Sequence, residues 1–347
     1  MRICQVLTGM IPVLPQGERR WGAVEKIISE YQISLTRMGH TVDVKYLNEI
    51  NKGDYDIVHL HMGNLALEAK KKGLPYIFSL HDHHVEYYGK DSYSYKHNLE
   101  AIKSSIFSFT HAEHLLQYFD GTDKLFYLSH GVNTDYYKPL FPPTGLNIKE
   151  FKLLMVANNG LAGDFGIDRK GFSAGIAAAA LLDMPISVVG AEANEKFFSI
   201  HTELLHYEKL TVDYSNPTED KLLDYYHNHD IFLHPSFLEA GHPNLTLLEA
   251  ASCCLPIVAT YNGTKLIYGL HRLHESNVEN IVDNIKLIKN NYYVTRAEMF
   301  NQRKKYDWKY VCESLVQSYE VVLNMKNEPS EIVAEKYYQS HRKQNHD

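Results

Sequence analysis

Short apolar runs alternate with stretches of helical period along this chain, and the alternation starts afresh after one proline-rich joint. Runs at residues 2–7, 41–47, 56–60, 76–80, 106–109 and 125–128 read as strands. Between the first two, Val24, Ile27, Ile28, Tyr31 and Leu35 recur at helical spacing and predict a helix over 22–38, stopped by Gly39. A shorter helix over 65–72 ends at Gly73. Short buried strands alternating with helices imply a mostly parallel sheet covered on both faces.

Pro139, Pro142, Pro143 and Gly145 then mark a linker over 139–150. The cycle repeats beyond it, with strands at 151–157, 186–190, 231–234 and 256–260 and helices at 173–182, 219–226 and 245–253. The expected fold is α/β: two doubly wound, Rossmann-like domains, 1–138 and 151–306, whose strand C-terminal ends face a shared cleft. Helices follow at 277–289 and 293–304, and Asp307 is placed to cap a last amphipathic helix to 323. The polar tail 324–347 is expected to be weakly ordered.

Composition removes several classes. A chain of 347 residues fits two domains, and 44% apolar with 22% charged residues is an ordinary globular balance. A net charge of −7 argues against a general nucleic-acid binder, which needs a basic face. Cys4, Cys253, Cys254 and Cys312 form no C-x-x-C pair, so a reducing, cytoplasmic setting is expected. The first apolar run is broken by Pro12 and Pro15 and reads as a strand rather than a secretion signal. No run reaches the ~18 apolar residues of a membrane span. Lys70-Lys71-Lys72 reads as a solvated helix face, with peripheral membrane contact left open.

Four constellations carry chemistry. Gly22 opens the first long helix after a long loop, 9–21, where free N–H groups favour phosphate; the spacing is not G-x-G-x-x-G. Arg169-Lys170-Gly171 precedes a helix in the second domain. Cations are disfavoured at that end by the helix dipole, so their presence points to an anionic ligand, with Arg169 as a fork and Lys170 as a point charge. Glu239 and Glu249 bracket a Gly/Pro turn that ends at Asn244, a good N-cap residue. Glu249 lies among Leu247, Leu248 and Ala250, and a carboxylate there needs a partner, which sugar or ribose hydroxyls would supply. Finally, His59, His61, His81, His83 and His84 sit at strand ends, and with His242 are cleft candidates. They show no recognised ligand spacing, so no metal site is expected.

Read in order, the segments resemble a known family. They are Trp21-Gly-Ala-Val-Glu-Lys, Gly39-His-Thr-Val-Asp, Tyr55-Asp-Ile-Val-His-Leu-His, Ser79-Leu-His-Asp and Ser129-His-Gly-Val-Asn-Thr-Asp-Tyr-Tyr-Lys-Pro. Arg169-Lys-Gly, Ser187-Val-Val-Gly, His234-Pro-Ser-Phe-Leu-Glu and Leu248-Glu-Ala-Ala-Ser-Cys-Cys-Leu-Pro continue the series. Over residues 1–323 the chain is similar to the retaining GT-B glycosyltransferases of family 4, also called group 1. The resemblance implies transfer of a sugar from a nucleotide-diphosphate sugar to a glycan, lipid-linked or other hydroxyl acceptor, with no cofactor and no metal strictly required. It implies that Lys170 and Gly22 bind the donor diphosphate, with Arg169 beside them. Glu239 contacts the donor sugar, Glu249 binds ribose, and His81 lies near the reacting carbon. Gly241, His242, Asn244, Leu245 and Asn158 are then expected at the nucleotide or sugar, and Tyr214, in the loop 211–217, is a candidate stacking surface for the base. The 307–323 helix is expected to cross back to the first domain.

The chain departs from the family at four points. Nine residues separate Glu239 from Glu249 where seven are common, Asn158-Asn159 stands where an Arg is usual, the loop 160–168 is long, and Ala23 stands where the first-loop pair has its second glycine. Two other readings stay open: a nucleotide-sugar 2-epimerase of the same fold, and a non-catalytic nucleotide-sugar-binding module. Nucleotide, sugar, acceptor and oligomeric state are not legible.

Overall fold

The computed structural model describes residues 1–8, 15–19, 22–140, 150–158, 161–162, 167–190, 193–237 and 239–325. Most of the expected linker, Trp21, Asn159, much of the 160–168 loop and all but the first two residues of the polar tail lie outside the described residues. The first half contains β1 (Arg2–Val6), α1 (Ala23–Arg37), β2 (Thr41–Lys45), β3 (Ile57–Leu60), α2 (Ala66–Lys71) and β4 (Ile77–Leu80). α3 (Val85–Tyr88), α4 (Tyr93–Ser104), β5 (Ser108–Thr110) and β6 (Leu125–Tyr127) complete it. Its six strands pair in parallel in the order β2-β1-β3-β4-β5-β6. β3 and β4 are buried along their whole length, which is why they read as continuous runs rather than alternating ones.

The second half runs β7 (Leu153–Val156), a small hairpin of β8 (Leu161–Ala162) and β9 (Ile167–Asp168), then α5 (Phe172–Leu181), β10 (Ile186–Val189), α6 (Ala193–Ile200) and β11 (Leu210–Asp213). It continues with α7 (Glu219–Asn228), β12 (Ile231–His234), α8 (Leu245–Ser252), β13 (Ile257–Thr260) and β14 (Leu270–Leu273). The sheet order is β11-β10-β7-β12-β13-β14. In each sheet the chain winds to one side of its first strand and then crosses to the other. The crevices therefore open at the ends of β1 and β3 and of β7 and β12.

Among the described residues, α3, α4, α6, the β8–β9 hairpin and the edge strands β11 and β14 were not expected from the sequence. The two helices expected over 277–304 are one, α9 (Val278–Gln302), with a single non-helical residue, Asn291 (φ −118°, ψ 15°), at the break.

The last helix, α10 (Trp308–Met325), returns to the first half. Trp308, Val311, Cys312, Leu315, Tyr319 and Val322 share a buried cluster with Ile27, Tyr31 and Leu35 of α1. Its entry is pinned by Asp307. One carboxylate oxygen accepts from the Lys309 backbone N–H (3.0 Å), and the other from the Thr134 N–H (3.2 Å) and hydroxyl (2.6 Å). Asp307 thus caps the helix and ties it to the segment leaving the first domain. Asp307→Ala is expected to lower stability by about 1–2 kcal/mol, read as a lower denaturant midpoint at unchanged slope. An unmoved midpoint would mean that packing alone holds the return.

Candidate active site

A cavity of about 430 Å³ lies between the two sheets, reached by Gly22, Lys26, His81 and His130 from one side and by Lys170, Glu239, Asn244 and Glu249 from the other. Its second-domain wall starts where β12 ends. The chain turns through Pro235 and Ser236 and delivers Glu239, which is 8% exposed. Its carboxylate accepts from the Lys170 ammonium and from the Ser236 hydroxyl (2.6 Å), and His234 Nε2 lies 3.2 Å away. Lys170 comes within reach because Gly171 takes a left-handed turn (φ +68°) against β12. A Cβ there would stand 2.7 Å from the Pro235 carbonyl oxygen, so both the turn and the approach demand glycine.

Burial alone would push the Glu239 carboxyl up. The charges of Lys170, His234 and Arg169 outweigh it and hold the group well below the usual carboxylate range. Burial pulls the Lys170 ammonium below the ordinary lysine value despite the pull of Glu239, and Arg169 lowers it further. The pair is therefore ionised glutamate against a strongly desolvated ammonium, a cation that gains much from a second anion.

Asp168 explains how two cations sit at the start of α5. Its carboxylate accepts from the backbone N–H groups of Phe172 (3.0 Å) and Ser173 (2.7 Å) and supplies the negative charge that the helix N-terminus favours. The protein thus has its own answer to the unfavourable placement that pointed to an anionic ligand. Arg169 donates to His83 Nε2 of the first domain (3.1 Å) and to the Asn158 carbonyl (3.4 Å), spanning the cleft.

Glu249 is 2% exposed on α8. Its partners are protein groups: Lys26 Nζ of α1 lies 2.5 Å from one oxygen, and the Tyr226 hydroxyl donates to the other at 2.8 Å. Lys26 also donates to the Tyr137 hydroxyl (2.8 Å) and lies 3.4 Å from Glu219, which in turn faces Arg19. Burial would lower the Lys26 ammonium, but Glu249, Tyr137 and Glu219 raise it well above its ordinary value. Sequence reasoning missed Lys26, Arg19 and Glu219. A lysine one turn into an amphipathic helix reads as solvated, and nothing local shows that its partner is 223 residues away.

The turn between the glutamates packs on first-domain histidines. His242 N–H donates to the His111 carbonyl (2.9 Å), and a Cβ on Gly241 would meet the His130 ring at 2.4 Å. Asn244 caps α8 by accepting from the Leu247 N–H (2.9 Å), so the first turn of α8, with Leu245, faces the cavity. Gly22 precedes α1 in an extended conformation and also faces it. His81 lines the cavity above a column of buried rings: His59 and His61 stack at 4.4 Å between centroids, His61 and His81 at 5.2 Å, His81 and His111 at 4.7 Å, and His111 and His130 at 4.5 Å. Burial, first among the causes, keeps His111 near pKa 4 and His81 well below its ordinary value. His84 is exposed and pairs with Asp82 at 3.0 Å.

The expectation for Tyr214 is corrected. Residues 211–213 belong to β11, and Tyr214 turns toward the helix face, its ring 5.9 Å from Phe198 in a T-shaped contact. Asn216 and Pro217 reach the cavity instead.

Residues 161–291 match the family described as "Glycosyl transferases group 1". Within that stretch the chain is similar to the group 1 glycosyltransferases. Solved structures extend the likeness of fold across both domains. Sucrose-phosphate synthase from Thermosynechococcus elongatus is 14% identical, with a TM-score of 0.72 over 92% of this chain and 98% of that one. Anabaena HepE in complex with UDP-glucose is 14% identical, with a TM-score of 0.65 over 92% and 99%. WaaG, a glycosyltransferase involved in lipopolysaccharide biosynthesis, is 15% identical, with a TM-score of 0.61 over 94% and 100%. Among curated proteins, no sequence matches the chain. No helix among the described residues is long and apolar enough to cross a membrane.

Proposed function

We propose that the chain is a retaining group 1 glycosyltransferase that moves a hexose from a UDP-hexose donor to a hydroxyl acceptor on a glycan or lipid-linked sugar, with its anomeric configuration kept. Residues 1–138 form the acceptor side and residues 151–306 the donor side. The observation that carries this reading is the desolvated Lys170–Glu239 pair at the switch point of the second sheet, in the same cavity as His81 of the first. Lys170 receives the diphosphate and stabilises the charge that grows on it as the glycosidic bond breaks. Arg169 and the first turns of α1 at Gly22 and of α8 at Asn244 and Leu245 add to that field. Glu239 faces the positive charge developing on the sugar ring, and His81 meets the sugar near its reacting carbon. Glu249 binds ribose by sharing an oxygen now held by Lys26. Asn158, Gly241 and His242 border the nucleotide and sugar. The choice of uridine rests on HepE, a neighbour in fold whose structure holds UDP-glucose. Cytoplasmic nucleotide sugar is the donor pool on this reading, and contact with a membrane surface would bring a lipid-linked acceptor.

The test is a panel of nucleotide sugars scored for release of nucleoside diphosphate, with and without simple sugar acceptors. UDP-glucose or UDP-galactose is expected to turn over fastest. Faster turnover of GDP-sugars would overturn the choice of nucleotide, and conversion of donor without acceptor into an epimer would replace transfer with epimerisation.

A further inference from the structure

Three of the stacked histidines come from separate strand ends, and they cluster closely enough to share one ligand. His111 Nδ1 lies 2.8 Å from the Leu128 carbonyl and His130 Nδ1 lies 3.1 Å from the Pro243 carbonyl. A carbonyl only accepts, so each Nδ1 carries the proton and each Nε2 keeps a lone pair. Both Nε2 atoms are buried and have no hydrogen-bond partner among the described residues. His81 follows by a relay. With the Gln5 side-chain oxygen accepting from His61 Nε2 (2.6 Å), His61 Nδ1 is left to accept from His81 Nε2 (2.9 Å), and His81 Nδ1 keeps its lone pair. One ring nitrogen from each of His81, His111 and His130 lies within 4.8 Å of the others.

An orphaned buried acceptor costs free energy wherever it occurs, and two on neighbouring stacked rings call for a partner. Each ring also has its other nitrogen held by a hydrogen-bond acceptor, as metal-bound imidazoles do. We propose that His81, His111 and His130 form a binding site for one divalent transition-metal ion of the zinc type. Three neutral imidazoles suit such borderline ions and leave a fourth position for water at the cleft, which His81 and His130 line. Binding requires the nitrogens to close from their present separation onto one ion. Spacing rules could not find the site, because residues 81, 111 and 130 follow three different strands, β4, β5 and β6.

The experiment uses the full chain stripped with a chelator and titrated with Zn²⁺ against a competing indicator dye. The result expected is one ion per chain, bound about 100-fold more weakly by His111→Ala and equally well by His97→Ala, a substitution on α4 outside the cluster. Co²⁺ titrated into the unmutated chain is expected to give the intense visible bands of four-coordinate cobalt, a readout that does not depend on any variant folding. Zn²⁺ bound only weakly and at several sites, affinity unchanged by His111→Ala, or a cobalt spectrum of weak six-coordinate type would each overturn the assignment.

Discussion

Lys170→Met is expected to slow sugar transfer by about 100- to 1,000-fold, the loss typical of one preorganised charge-stabilising group and worth roughly 3–4 kcal/mol of barrier. The ammonium is buried, desolvated and already opposite one carboxylate, so its field acts through little water. Charge on the diphosphate rises as the bond to the sugar breaks, and the loss should fall on kcat more than on KM. The substitution also strips Glu239 of its main counter-ion, leaving Ser236 and His234 as partners. A fall in activity could then reflect a damaged fold rather than lost chemistry. The double variant Lys170→Met, Glu239→Gln separates the two. It removes the unpaired buried charge and should recover most of the melting temperature while transfer stays slow. If the double variant recovered transfer together with stability, Lys170 would be a structural counter-ion only.

What the sequence made legible follows from where the signals are local. β3, β4, β7 and β12 are buried on both faces and surface as continuous apolar runs, and Asp307 and Asn244 are recognisable caps because a cap acts within three residues. α4 was missed because its inward face, Tyr95, Asn98, Ala101 and Ile102, contains an asparagine that donates to Asp82 at 2.9 Å. β11 and β14 are edge strands, and neither is buried along its length, so the apolar run that marks a central strand is absent. The same division runs through the site. Lys170, Glu239 and Glu249 stand in short motifs, but what each touches is set by the approach of two domains. Glu249 was expected to wait for hydroxyl groups and instead has Lys26 and Tyr226 on its two oxygens. Arg169 was expected to face phosphate and reaches His83 across the cleft. A pattern within one segment carries no information about a partner on another sheet.

Lys26→Met should cost about 3–5 kcal/mol, the usual effect of removing one member of a buried ion pair. Lys26 belongs to α1, whereas Glu249 and Glu219 belong to α8 and α7, so the ammonium joins the two domains at the base of the cleft. Without it, Glu249 keeps only the Tyr226 hydroxyl in a site 2% exposed. The pH dependence has a definite sign. Because the Lys26 ammonium is held above its ordinary value in the folded state, its contribution is fully present below the unfolded lysine pKa of about 10.4 and disappears only as pH rises through the higher folded value. The part of the stability difference that Lys26's own titration carries should therefore shrink only in strong alkali, whereas Glu30, raised by burial to about 7 and pulled down by Lys26, adds a pH dependence near neutrality. Thermal unfolding across that range reads it directly. In contrast to Lys170→Met, transfer per folded molecule should stay within about tenfold, because Lys26 pairs with Glu249, proposed to bind ribose, and not with the group proposed to receive the diphosphate. A melting temperature unchanged by Lys26→Met would mean that Glu249 is rescued by water as the domains part, and that the closed cleft does not depend on this link.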